Sequence, residues 1–294
     1  MASELRVVHR PRLETPVLVT AFRGWNDGGQ GATLAGGFLA REWQAERFAD
    51  LDPEGFYDFQ ATRPHVSLDE GLTRKIDWPE NAFFFARPRE LGRDVILLLG
   101  VEPNLRWQTF CRYVVDFAGE LGVDLVVTLG ALLADVPHTR PSPVTGSASD
   151  PELVDRLGLS TSRYEGPTGI VGVLHDAFKQ AGVPSVSLWA AVPHYVQLTP
   201  SPRAAQALCE RLATLLGGQI DVAELRRAGR GYVEQVSEAV AADTDTATYV
   251  EELEQRSDEI DPDELPSGDA LAAELTRYLR ERESDDAPDA ATDQ

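Results

Sequence analysis

Residues 94–130 read DVILLLGVEPNLRWQTFCRYVVDFAGELGVDLVVTLG. Both ends of this stretch, 94–99 and 124–129, are short apolar runs closed by a glycine, Gly100 and Gly130. Runs of that length predict strands buried on both faces. Between them Trp107, Phe110, Cys111, Val114, Val115 and Ala118 recur at helical spacing, which predicts a helix over 106–121. The alternation continues on both sides. PVLVTAF at 16–22 reads as a strand, and a helix is predicted over 32–43, with Leu34, Phe38 and Leu39 on one face. Further strands are expected within 46–63, at 81–86 and at 184–191, and further helices at 169–181 and 202–216. Strands alternating with helices of this length imply an α/β domain with a mainly parallel sheet.

After residue 221 the strand signals stop. Residues 222–254 read as helix, with a break near 243–246, and Leu271, Leu275, Tyr278 and Leu279 mark a last amphipathic helix. The expected organisation is an α/β core over 1–220, an acidic helical extension over 221–283 that packs on the core or on a partner, and a disordered tail over 284–294. Charge divides the chain in the same way. The formal net charge of the 294 residues is −21, yet residues 232–294 hold 20 of the 48 acids and 4 of the 27 bases. The body is therefore nearly balanced.

These numbers exclude several functions. A strongly acidic chain is a poor partner for nucleic acid or an anionic membrane, both of which bind through phosphate neutralisation. No apolar run reaches 18 residues, so no membrane helix is expected. Cys111 and Cys209 make no CxxC pair, and each falls in an apolar helical pattern. Together with the missing signal-peptide pattern in the first 12 residues, this points to the cytoplasm. The five histidines form no HxxxH pair, and no metal or cofactor is expected. Only Lys75 and Lys179 are available for lysine chemistry.

Polar residues gather where four of the expected strands end. Arg23, Asn26 and Asp27 follow the first, Glu102 follows 94–99, His138 and Arg140 follow 124–129, and His194 follows 184–191. In a parallel sheet these turns share the carboxyl edge, where open α/β folds hold ligands. Two glycine-rich turns open helices there, at 24–31 and at 166–169, the second with Thr168. Either turn offers backbone N–H groups to an anion, or simply lets helix and sheet pack closely. Neither has the spacing of a nucleotide-binding fingerprint. Asp27 and Glu102 suit acid–base work or helix capping. His138 and Arg140, held between prolines in PHTRPSP, suit an anion site or acid–base work, and equally a structural corner or a subunit contact. No GxSxG elbow marks a nucleophile.

Six segments, FRGWNDGGQ (22–30), DFQATRPHV (58–66), GVEPNLRW (100–107), GALLADVPHTRPSPVTG (130–146), EGPTGIVGVL (165–174) and SLWAAVPHYV (187–196), resemble the proteasome assembly chaperone 2 family in its bacterial, actinobacterial-type branch. The resemblance runs from about Thr15 to Tyr278. It implies a three-layer αβα sandwich with a mixed, mainly parallel sheet similar to purine nucleoside phosphorylase, assembled as a homotrimer. It also implies protein clients, proteasome-related ones among them, and transfers no catalytic residue. Two functions follow. The first is a non-enzymatic assembly or interaction protein. The alternative is a small-anion or nucleoside-type ligand binder or enzyme, with Arg23, Arg63, Arg140 and Thr168 around the anion and Asp27 as the acid.

Overall fold

The computed structural model describes residues 4–69, 73–148, 154 and 165–259. Eight strands form one sheet: β1 (Leu5–Val7), β2 (Val17–Arg23), β3 (Glu46–Leu51), β6 (Asn81–Ala86), β7 (Val95–Val101), β8 (Leu125–Ala134), β9 (Val144–Ala148) and β10 (Ser185–Pro193). They lie in the order β1-β3-β6-β7-β2-β8-β10-β9. Neighbours within β7-β2-β8-β10 run parallel, and the flanking pairs are antiparallel. A separate ribbon pairs β4 (His65–Asp69) with β5 (Thr73–Asp77).

The helices are α1 (Gly31–Glu42), α2 (Trp107–Glu120), α3 (Ile170–Gln180), α4 (Pro202–Leu216), α5 (Ala223–Ala241) and α6 (Thr244–Glu259). Alternation along β2 assigns the layers, because successive strand residues face opposite sides. Val17, Val19 and Ala21 face α1 and α4, in a core with Phe38, Leu208 and Leu212. Leu18 and Phe22 face α2 and α3, in a core with Phe110, Val114, Ile170 and Leu174. The second core is rich in rings: Phe48, Phe83 and Phe117 lie within 5.1–6.2 Å of one another. The result is the expected mixed α/β sandwich, with helices on both faces of a large sheet.

The glycines expected to end two strands lie inside them. Strand β8 runs on to Ala134, and Gly130 within it lies against the Trp189 ring, where an added Cβ would come within 2.6 Å of the indole. Gly100 lies inside β7 against Asn81, where a Cβ would come within 2.2 Å of the amide oxygen. In both strands the glycine makes room for a neighbour and pairing continues. Strands β1, β4, β5 and β9 were not expected. β9 falls just after the proline-rich loop and pairs antiparallel with β10.

Helix α5 packs on α4, and α6 follows after a break at 242–243, at the start of the expected 243–246. The predicted helix around 271–279 and the tail over 284–294 lie outside the described residues. Among the described residues no helix is long and apolar enough to cross a membrane.

Candidate functional site

The parallel register brings the strand ends level: Arg23 of β2 lies beside Val101 of β7, and Ala134 of β8 beside Pro193 of β10. The predicted residues therefore share one edge, but they form two separate groups.

The first group is built on β2, β7 and the start of α3. The Glu102 carboxylate accepts from the Trp25 N–H at 2.9 Å and from the Ile170 N–H at 2.7 Å. A helix N-terminus exposes unpaired N–H groups and favours negative charge. At α3 that charge is the chain's own, so Glu102 occupies the place an anion would take. Asn26 is buried beside it, with its Oδ1 unpaired among the described residues. Gly169 makes this approach possible, since a Cβ there would come within 2.0 Å of that oxygen. Thr168, just before α3, packs against Gly172 of that helix. Arg23 is exposed, and its charge favours ionisation of Asp27.

Asp27 closes the start of α1. Its carboxylate accepts from the Ala32 N–H at 2.9 Å, the Thr33 N–H at 3.2 Å and the Thr33 hydroxyl at 2.5 Å. Burial nevertheless pushes its pKa up, outweighing these bonds. The glycines before α1 serve packing. Gly29 has φ +55° with Val192 and Ser201 against it, and its carbonyl accepts from the Ser201 N–H at 2.8 Å. Gly31 faces Ala204 of α4.

The second group lies at the ends of β8 and β10. His138 is buried. Its N–H donates to the Tyr195 hydroxyl at 2.8 Å, its Nδ1 lies 2.8 Å from the same oxygen, and its Nε2 lies 3.0 Å from Ser237 Oγ of α5. Burial lowers the pKa of the ring. The trio ties the proline-rich loop, the turn after β10 and helix α5 together.

Arg140 makes a two-pronged bond to Asp258 of α6, with Nε and Nη2 each at 2.8 Å, and Thr139 donates to Glu254 of the same helix. His194 Nδ1 lies 3.0 Å from Asp135. Tyr249 of α6 sets its ring edge-on to His194 and Tyr195, at 5.7 and 6.1 Å. Val250 and Leu253 are buried beside it. The acidic helix thus lies over the His138–Arg140 corner. Next to it remains only a small cleft with room for about one water, lined by His138, Arg140, Ser201, Arg203 and Tyr232 among others. Arg63 belongs to neither group; it is exposed in the segment before β4.

Sequence reasoning missed Tyr249, Glu254 and Asp258 as partners of the corner, and Ser237 as the partner of His138. It also missed a buried polar row in which Thr20, Thr128 and Ser187 lie side by side on three strands, with the last two hydroxyls 2.7 Å apart. The excess of acids after residue 232 was the one available signal. Among the described residues no three His, Cys, Asp or Glu side chains are grouped to hold a metal ion.

A mixed sheet with helices on both faces and its polar turns along the carboxyl edge places the molecule among three-layer α/β proteins. More narrowly, the chain belongs to the PAC2 family, whose sequence model matches residues 21–240. It is 50% identical to a PAC2 family protein from Streptomyces avermitilis, over 80% of this chain and 99% of that one, with a TM-score of 0.73. It is 45% identical to a Mycobacterium tuberculosis protein described as a proteasome-assembly chaperone homologue, with the same coverage and TM-score. An archaeal proteasome activator from Pyrococcus furiosus, 19% identical over 80% of this chain and 97% of that one, shares the fold with a TM-score of 0.64. No match to the chain is found among curated proteins.

Proposed function

We propose that the protein is a non-enzymatic assembly or interaction protein, working in the cytoplasm as a homo-oligomer, a trimer by its family resemblance, with proteasome-related proteins among its clients. The observation that carries this reading is the β4–β5 ribbon. Val66 and Ile76 are cross-strand partners, and Leu68 lies on the same face two residues along. These three side chains are 63%, 53% and 65% exposed. A two-stranded ribbon is marginal in water alone, and grouped exposed apolar side chains mark surfaces that other proteins cover. At the sheet edge, by contrast, the places that would receive a small anion hold Glu102 and α6.

The test is affinity capture of the tagged full chain followed by quantitative proteomics, alongside a Val66→Ser/Leu68→Ser/Ile76→Ser variant. The reading expects reproducible enrichment of an oligomeric assembly, reduced in the variant. Recovery of the chain alone from both samples contradicts it.

A further inference from the structure

We propose that the small cleft between the proline-rich loop and helices α4 and α5 binds a monatomic anion, chloride, through Arg203, Tyr232 and Ser201. Neither Glu102 nor α6 fills this cleft, and the site is independent of any client protein.

Arg203, in the first turn of α4, lines the cleft and is half-buried. Its stem runs against Gly229 of α5, where a Cβ would come within 3.3 Å of Arg203 Cγ. Burial disfavours the charge of the guanidinium, and among the described residues Tyr232, not a carboxylate, is the group that acts on it. That is unusual company for an arginine in a chain with 48 acids and 27 bases. Arg140, on another wall of the cleft, is already matched by Asp258 and Glu254. A charge withdrawn from water without a partner is costly, and a bound anion removes that cost.

Tyr232 is 5% exposed, and its hydroxyl has no hydrogen-bond partner among the described residues. Ser201 is its polar neighbour, without a hydrogen bond formed between them. Burial raises the pKa of the phenol, so it stays protonated and does not serve Arg203 as a phenolate. It remains a donor in need of an acceptor. Ser201 is buried as well; its Oγ accepts from the Ala204 N–H at 3.4 Å and keeps its own proton to donate. The cleft also lies at the N-terminus of the 15-residue α4, where backbone dipoles favour negative charge.

Space for about one water sets the size of the ligand. Phosphate, sulfate and carboxylates are too large, whereas a single-atom anion fits. A water satisfies the two hydroxyls but leaves the guanidinium charge uncompensated, so charge decides for the anion. Bound there, chloride ties α5, through Tyr232, to the start of α4.

The test is thermal melting of the full chain as sodium gluconate is exchanged for sodium chloride at constant ionic strength, which holds general screening of the acidic chain fixed. Chloride should raise Tm by roughly 3–6 °C at about ten times its Kd. Bromide should act likewise and phosphate should not. Arg203→Met should abolish the rise. Tyr232→Phe, which removes one oxygen, should raise the half-saturating chloride concentration at least about tenfold. An equal Tm in chloride and gluconate overturns the proposal, as does a rise that both variants keep. A wild-type crystal soaked in bromide needs no variant. Anomalous scattering should place bromide within hydrogen-bonding distance of Tyr232 Oη and the Arg203 guanidinium. A water in that place, with bromide absent or bound only elsewhere on the surface, overturns the site.

Discussion

Replacing Glu102 by alanine separates a structural carboxylate from a ligand-binding one. The carboxylate satisfies the Trp25 and Ile170 N–H groups at 2.9 and 2.7 Å. Hydrogen bonds to a charged group contribute about 1.5–3 kcal/mol each. Trp25 is 52% exposed, so water replaces most of its bond, whereas Ile170 is fully buried and its N–H loses both a partner and a favourable charge at the helix end. The net cost is about 2–3 kcal/mol. In a domain of this size each kcal/mol lowers Tm by roughly 2–4 °C, which gives a fall of roughly 4–12 °C. Glu102→Gln keeps an acceptor and loses only the charge, about 0.3–1 kcal/mol. Thermal melts by circular dichroism, with urea titrations to check that the m value is constant, measure both. Inorganic phosphate should raise the Tm of the alanine variant, by filling the vacated helix end, and leave wild type unchanged. A Tm for Glu102→Ala equal to or above wild type would refute the reasoning, because a carboxylate kept for a ligand costs stability and its removal restores it.

Asp27 makes a pH-dependent case. A carboxyl whose pKa is raised on folding binds its proton more tightly in the folded state, so its contribution is fully present below the unfolded value of 3.8 and is lost as pH rises through the folded value. Asp27→Asn keeps an acceptor for α1, and its Tm relative to wild type should climb as the buffer is taken from pH 3.8 to 7; a flat difference counts against a burial cost. Gly130→Ala should destabilise by about 1–3 kcal/mol in urea titrations, since the new methyl meets the Trp189 ring, and Trp189→Leu in the same chain should recover part of that loss. Cys209 is fully buried and the Cys111 thiol is pushed up to about 12 by burial, so neither should react with a disulfide reagent until the chain unfolds.

The parallel heart of the sheet was legible because β2, β7, β8 and β10 are apolar on both faces, and their helices carry clean 3.6-residue stripes. Strand ends were harder to read. Gly130 and Gly100 look like stops in one dimension, and only the Trp189 ring and Asn81 reveal them as places of close approach. β9 was hidden because Val144–Ala148 is short, half-polar and preceded by prolines. At the edge the sequence named residues without their partners. Arg140 and Asp258 are 118 positions apart, and His138 and Ser237 are 99 apart. No local pattern encodes pairs that only the tertiary fold brings together. The two readings of Glu102, acid or cap, differ only in whether the Ile170 N–H reaches it.

If the chain's own groups fill the edge where α/β folds receive small ligands, thermal-shift titration of the full chain with phosphate, ribose phosphates and nucleosides should show no shift for wild type at concentrations up to millimolar. A dose-dependent rise approaching 2.7 kcal/mol at about 100 times Kd, lost in Arg140→Ala or Thr168→Ala, would contradict it.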